Sequence, residues 1–387
     1  MKIGIFTDSY VPYTSGVVRS IQTFKEELIK QGHDVFIFAP SYKNCGKESR
    51  VFRFASIPSL TNRDFTLAVP FSLRLKPVIQ GLGLDLIHVH SPFLLGRLGA
   101  RYARRAGIPL VFTYHTLYDQ YVHYVPFAQS FTRELAQRVS RDFCNQCDMV
   151  IVPTDIVGDY LRRIGVVTEI TKVPTGIKVE EFQKGDPAWL RQQYQIPSSD
   201  YVLLFVGRLG QEKNIGMLLE SFQLVNREIN NTTLVLVGGG PEAEELRSKA
   251  LKLGIAAKVV FTGTLPSAEV VNCYAGADLF VFTSLTETQG IVIAEAKAAG
   301  LPVVAVGANG VSEMVEDGLD GYLTDPDPVH FANRVCQVLK NREMREAMGR
   351  RASLKAEELS SVNCTKRLLS CYSALVEGNK RATSNLS

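Results

Sequence analysis

Residues Lys2 to Thr7 form a short apolar run, a turn containing Pro and Gly follows, and Val17, Ile21, Phe24 and Leu28 then recur three to four residues apart. That spacing is one face of a helix, so the chain opens as strand, loop and helix. Gly32 predicts the helix stop, and Asp34 to Ala39 reads as the next strand. Further strand-like runs occur at Leu86 to His90, Leu110 to Tyr114 and Met149 to Pro153, each followed by helical periodicity. Strands alternating with helices predict an α/β fold whose parallel sheet is covered on both faces.

The pattern lapses between Pro174 and Ser199, a polar stretch holding Gly176, Gly185, Pro187 and Pro197. It restarts with strands expected at Tyr201 to Val206, Thr233 to Val237, Val259 to Thr262, Leu279 to Thr283 and Pro302 to Val306. Residues 1–175 are therefore expected to form one doubly wound, Rossmann-like domain and residues 176–365 a second. Residues 366–387 are expected to form a C-terminal helix and tail that pack back on the first. Ligands of open parallel sheets bind beyond the carboxyl ends of the strands, so the chemistry is expected in a cleft between two such sets of ends.

A chain of 387 residues is too long for one ordinary core, which agrees with two domains. Its 45% hydrophobic and 21% charged residues are the balance of a globular protein rather than a disordered one. The seven cysteines are odd in number and scattered, which points to free thiols in a reducing compartment. Cys144 and Cys147 form a C-x-x-C without a second ligand pair, and helix packing is the expected role. With no charged leader and no apolar window of bilayer length, the expected location is the cytoplasm. Charge is uneven: 21 Lys and Arg face 14 Asp and Glu through residue 175, against 22 and 25 beyond it. A basic first half favours an anionic partner such as a phospholipid surface or nucleic acid, while an excess of this size often serves solubility alone.

Several strand ends carry candidate chemistry. After Tyr201 to Val206 come Gly207, Arg208 and then Glu212-Lys213-Asn214, just before an amphipathic helix through Leu218 and Phe222. Two cations at a strand end and a helix start suit a diphosphate, and a solvated loop is the bland alternative. After Leu279 to Thr283, Glu287 precedes Gly290, Ile291 and Val292, and Glu295 follows eight residues after Glu287. Gly290 allows close backbone approach, and free N–H groups at a helix start suit a phosphate. Two carboxylates flanking them could accept hydrogen bonds from hydroxyls at both ends of a nucleotide sugar. A helix-start Glu plus an exposed Glu fits the spacing equally.

The first loop, Pro12 to Val17, brings Gly16 to the start of the first helix without forming G-x-G-x-x-G, which weakens a dinucleotide reading. Gly238 to Gly240 is read as a turn and helix start. His88-Val89-His90 ends a strand with both imidazoles on one face. A metal would need a third ligand that is not near, so one His lining the site and one packing is the preferred reading. Asp325-Pro326-Asp327 is read as a surface turn. Tyr114 to Tyr124 is dense in Tyr and His, which suits a sugar or amphiphile. Arg97, Arg101, Arg104 and Arg105 form one stripe of a predicted helix whose other stripe is Leu94, Leu98 and Tyr102. Phe65 to Phe71 is an apolar loop candidate nearby. Together these would suit a peripheral membrane enzyme, while a solvated face fits as well.

Glu287 and Glu295 in E-x(7)-E spacing, with Gly207-Arg208, Lys213, the loop to Gly16 and Tyr114-His115-Thr116, resemble family 4 retaining glycosyltransferases of the GT-B fold, from Met1 to about Cys371. The resemblance implies two Rossmann-like domains facing across a cleft and a nucleotide-sugar substrate. Arg208 and Lys213 would hold its diphosphate, with backbone at Gly16 and at Gly290, Ile291 and Val292. Glu287 would bind hydroxyls of the transferred sugar, Glu295 the ribose, and His115 would sit beside the reacting centre. No metal or other cofactor is implied, since cations and helix N-termini stabilise the leaving diphosphate.

Tyr118, Tyr121, His123 and Tyr124 resemble the acceptor loop of bacterial diacylglycerol glucosyltransferases, which implies UDP-glucose, a lipid acceptor and action at the inner membrane face. A mannosyltransferase or another family 4 enzyme with a different acceptor stays open. So do an oxidoreductase on the same kind of sheet and a non-catalytic sugar-binding protein. No nucleic-acid partner is expected.

Overall fold

The computed structural model describes the chain apart from Asn44, Lys47 and residues 59–65, 121–128 and 385–387. It divides into two compact units, Met1–Gly176 with Ser361–Ser387, and Ile177–Ser360. The strands of the first are β1 (Lys2–Phe6), β2 (Asp34–Pro40), β3 (Val51–Phe54), β4 (Ser56–Pro58), β5 (Thr66–Ala68), β6 (Leu86–Val89), β7 (Leu110–Thr113), β8 (Met149–Val152) and β9 (Ile170–Lys172). Seven of them form a parallel sheet in the order β3-β2-β1-β6-β7-β8-β9, and β4 pairs with β5 as a short antiparallel ribbon. The second unit has β10 (Tyr201–Val206), β11 (Thr232–Val237), β12 (Val259–Gly263), β13 (Leu279–Phe282), β14 (Val303–Val306) and β15 (Gly321–Thr324). They form a parallel sheet in the order β12-β11-β10-β13-β14-β15.

The two faces of the first sheet follow from the alternation of side chains along a strand. Ile3 and Ile5 of β1 and Val35 and Ile37 of β2 pack on Ile21, Phe24 and Leu28 of the helix Gly16–Lys30. Phe6 and Phe38 face the other way, stacked with ring centroids 4.4 Å apart, against Leu95 and Ala103 of the helix Leu94–Ala106. Full burial of each such side chain contributes roughly 1.5–3 kcal/mol. The second unit has one continuous core, in which every residue of β11, β13 and β14 is buried.

The final helix, Ser361–Ser384, begins five residues before the expected position 366 and belongs to the first unit. Cys364, Leu368, Tyr372 and Val376 recur every fourth residue and are buried with the helix Gly16–Lys30.

Two expectations need correction. The buried stripe of Leu94–Ala106 is Leu95, Gly96, Gly99, Ala100 and Ala103, not Leu94, Leu98 and Tyr102. Small residues win because the backbone sits close on the sheet: a Cβ at Gly96 would lie 1.7 Å from the Ser91 carbonyl oxygen, and one at Gly99 2.9 Å from Phe6. Within the stretch Phe65 to Phe71, Thr66–Ala68 is a strand rather than loop. Asp325 to Asp327 lie exposed at a bend, as expected, and the Asp327 side chain also accepts from the His330 N–H at 2.7 Å and caps the helix Pro328–Lys340. Cys144 and Cys147 are buried free thiols, with Cys144 pushed up to about 12 by burial.

Candidate functional site

Strand order reverses between β1 and β6 in the first sheet and between β10 and β13 in the second. Chains leaving such neighbouring strands diverge to opposite faces and open a crevice at the carboxyl edge. The loops at these two reversals carry most of the residues singled out above.

In the second unit, β10 leads into Gly207, Arg208 and a short 3-10 turn, Gln211–Lys213, and β13 leads into Thr283 to Gly290. The two loops are sewn together. Thr283 Oγ1 donates to the Lys213 carbonyl at 2.9 Å, Ser284 Oγ to the Glu212 carbonyl at 3.2 Å, and Leu285 N–H to the same carbonyl at 3.2 Å. This places Lys213 Nζ in an ion pair with Glu287, whose Oε1 also accepts from Ser284 Oγ at 3.1 Å. The two side chains retain 15% and 19% of their exposure, enough to meet a ligand. Asn214 turns the chain at φ 51° and starts the helix Ile215–Glu228. Gly238 backs the arrangement, for a Cβ there would lie 1.9 Å from the Gly207 carbonyl oxygen.

Arg208 is about half exposed, with Nη1 3.9 Å from Glu212 Oε1. Gly290 has φ 81°, a left-handed conformation natural to glycine, and lies before the helix Ile291–Ala298. Ile291 and Val292 form that helix's first turn, whose N–H groups have no acceptor within the helix. Glu295 is placed differently from a surface grip. It has no exposed surface, and its Oε2 accepts from Tyr274 OH at 2.8 Å.

In the first unit, Ser15 caps the helix Gly16–Lys30, accepting from the Val18 N–H at 3.3 Å, so Gly16 stands at its first turn. Asp8, two residues after β1, accepts from Ser91 Oγ and from the Leu95 N–H at 2.9 Å, and so fastens this loop to the helix that follows β6. Burial raises its carboxyl pKa, although those hydrogen bonds oppose the shift.

The imidazoles follow strand geometry. β6 and β7 are parallel neighbours, so their carboxyl ends lie side by side. His88 is buried, with Nδ1 2.5 Å from Tyr372 OH and Nε2 2.6 Å from Thr113 Oγ1. His90 is buried beside it, ring centroids 4.2 Å apart, and its Nδ1 lies 2.8 Å from His115 Nε2. Burial pushes His88 down to about 3 and also lowers His90 well below its ordinary value, with His88 and His115 adding to the His90 shift. His115 keeps some exposed surface and is lowered by burial as well. All three are neutral at pH 7.

Tyr114 is core, its hydroxyl donating to Ser140 Oγ at 3.3 Å, while Tyr118 is partly exposed and packs edge-on against Phe93. Tyr121, His123 and Tyr124 lie outside the described residues. Arg97, Arg101 and Arg104 are exposed, and with Arg138 they line a cavity of about 350 Å³.

Sequence reasoning missed Asp8, Ser284, Tyr274 and Tyr372. Asp8 alone had a local signal, a carboxylate at a strand end. The partners of the other three lie on separate elements or depend on loop conformation.

Two family models match the chain: Glycosyltransferase Family 4 over residues 14–181 and Glycosyl transferases group 1 over residues 188–355. The alpha-monoglucosyldiacylglycerol synthase of Streptococcus pneumoniae is 34% identical over 98% of this chain and 87% of that protein. Its namesake in Acholeplasma laidlawii is 31% identical over 98% and 99%. A GDP-mannose-dependent alpha-mannosyltransferase of Corynebacterium glutamicum is 29% identical over 84% and 77%. Among solved structures, Anabaena HepE in complex with UDP has a TM-score of 0.79 at 22% identity, covering 97% of this chain and 100% of that one. Sucrose-phosphate synthase from Thermosynechococcus elongatus also reaches 0.79, at 21% identity over 97% and 99%. Likeness at that identity concerns the fold.

Proposed function

The chain belongs to the family 4 glycosyltransferases of GT-B architecture and is a hexosyltransferase, and from that premise we propose that it moves glucose from UDP-glucose to diacylglycerol with retention of configuration. The observation that carries this reading is near-full-length identity of 34% and 31% to two alpha-monoglucosyldiacylglycerol synthases. The mannosyltransferase alternative has a relative of 29% identity over less of the chain.

In this reading the bond between the sugar C1 and the diphosphate oxygen breaks, a bond from C1 to the acceptor oxygen forms, and the acceptor's proton passes to the departing diphosphate. Negative charge develops on that diphosphate. Arg208, Lys213 and the N–H groups of Gly290, Ile291 and Val292 stabilise it, with backbone at Gly16 assisting, and no metal is required. Lys213 and Glu287 neutralise one another without ligand; with ligand, Lys213 turns to phosphate and Glu287 accepts from sugar hydroxyls. Glu295 goes to the ribose on the E-x(7)-E pattern, which requires the protein to open around Tyr274 because Glu295 has no exposed surface here. His115 serves the sugar, and Tyr118 with Tyr121, His123 and Tyr124 serves the acceptor.

A lipid acceptor brings the enzyme to a membrane surface. Phe71 and Leu73 are 69% and 76% exposed beside Arg74 and Lys76, and Arg97, Arg101, Arg104 and Arg138 form the cationic cavity. No helix among the described residues is long and apolar enough to cross a membrane. The exposed apolar and basic groups support peripheral attachment to an anionic inner leaflet.

The test offers UDP-glucose, UDP-galactose, UDP-N-acetylglucosamine and GDP-mannose with diacylglycerol or phosphatidylinositol, in anionic and in zwitterionic micelles, and reads products by mass. Glucosyl-diacylglycerol from UDP-glucose is expected, with an anionic advantage that fades as salt rises. Product from GDP-mannose alone would transfer the assignment to the mannosyltransferase reading.

A further inference from the structure

We propose that His90 is a positioning residue that donates its Nδ1 hydrogen to His115 Nε2 and thereby holds His115 as the tautomer carrying its hydrogen on Nδ1. The geometry begins with two neighbouring strand ends. His90 follows β6 and His115 lies two residues beyond β7. Their rings stack with centroids 5.1 Å apart and planes 19° apart, and one nitrogen of each comes within 2.8 Å of the other.

A neutral imidazole carries one hydrogen, so one ring in such a contact donates and the other accepts. If His115 donated, His90 would have to accept at Nδ1 and carry its own hydrogen on Nε2. That nitrogen is buried, in a residue 2% exposed, and has no hydrogen-bond partner among the described residues. An orphaned N–H in the interior is the rarer defect, whereas an under-used acceptor is better tolerated. The hydrogen therefore belongs on Nδ1 of His90, aimed at His115. Burial keeps both rings from taking a second proton at neutral pH.

His88 cannot supply the missing partner. Its two nitrogens already meet Tyr372 OH at 2.5 Å and Thr113 Oγ1 at 2.6 Å, which also prevents its ring from turning. The stack is thus fastened from below by His88, set by His90 and ended by His115. The consequence is chemical: His115 has its Nε2 lone pair engaged, so it is a hydrogen-bond donor through Nδ1 and not a base through Nε2. That His115 serves a sugar rests on the glycosyltransferase reading, while the tautomer does not.

Imidazole 15N spectra of the substrate-free protein test this, with His115 identified by its loss in His115→Gln. A protonated-type shift at Nδ1 and an unprotonated one at Nε2 are expected for His115. In His90→Asn the side-chain amide can donate from the place of Nδ1 and should preserve that signature. In His90→Phe the donor is gone, and the His115 hydrogen should move to Nε2. Hydrogen on Nε2 in the wild-type protein overturns the assignment, as does an unchanged signature in folded His90→Phe. If His90→Phe does not fold, the wild-type and His90→Asn spectra still decide. An enzyme found inactive in the donor screen but showing the Nδ1–H signature would separate failure of the glucosyltransferase reading from failure of this one.

Discussion

The two units repeat one plan and fill it with opposite electrostatics. In the second, the loops at the sheet reversal hold Arg208 near Glu212, and Lys213 in an ion pair with Glu287. In the first, the corresponding loops hold His88, His90 and His115, which burial keeps neutral, and Asp8, whose carboxyl burial drives toward the neutral form. A diphosphate brings negative charge that fixed cations and dipoles can match as it develops, whereas hydroxyls hydrogen-bond to carboxylates and to neutral imidazoles alike. Under the proposed function, the shared sheet topology sets where each unit would meet a ligand, and the loop chemistry sets which part of it.

The contrast breaks most directly at Lys213. Under the proposed function Lys213 and Glu287 face the donor, so losing either should be felt in turnover before it is felt in folding. Lys213→Ala and Glu287→Gln should each lower kcat/KM by roughly 100- to 1,000-fold, the cost of losing one preorganised group facing developing charge. Far-UV circular dichroism should stay unchanged. Near-normal turnover in both variants would falsify the assignment of the donor to the second unit.

Acid should sharpen the contrast by acting on the first unit. A buried imidazole with a folded pKa below its unfolded value of about 6.5 binds fewer protons when folded, so stability is full above that pH and falls as pH drops toward the folded value. For His88, held at about 3, the loss should reach roughly 2 kcal/mol by pH 5. His90 and His115 shift in the same direction. Hydrogen exchange at pH 7 and pH 5, corrected for intrinsic rates, should show lost protection in β6 and β7 and little change in β10 and β13. Equal losses in both units would remove the imidazoles as the cause.

What the sequence disclosed follows the same division between local and long-range forces. Central strands such as β6, β7 and β13 were legible because every residue in them is apolar or buried, a run that only a two-sided core produces. The edge strands β3, β9 and β15 were not: β9 is three residues with none buried, and its pairing with β8 gives no local pattern. Lys213 and Glu287 were each legible as loop residues at strand ends. Their ion pair was not, because it joins positions 74 residues apart through loop conformations that hydrogen bonds set. The burial of Glu295 was equally hidden, since an E-x(7)-E spacing says nothing of Tyr274 waiting inside. Of the histidines, the pattern put His88 and His90 on one face and expected one to pack. It could not show that Tyr372 is the packing partner of His88, 284 residues away.

That contact carries the smallest of the expected effects and decides what the last helix does for the first unit. Tyr372 has no exposed surface, and its hydroxyl meets His88 Nδ1 at 2.5 Å, while its ring packs edge-on to the imidazole at 81°. Tyr372→Phe keeps the ring and removes the hydroxyl, leaving a buried ring nitrogen without its partner, a change that costs about 1–2 kcal/mol. If Ser361–Ser384 is fastened through this bond, exchange should quicken in that helix and at β6 together, with the helix Ile215–Glu228 of the second unit unaffected. If it is held by apolar burial of Cys364, Leu368 and Val376 alone, the phenylalanine variant should exchange like the wild type, and Leu368→Ala should do the loosening instead. The bond is the more discriminating of the two attachments, because His88 also binds Thr113 and so ties the helix to β7, two residues before His115.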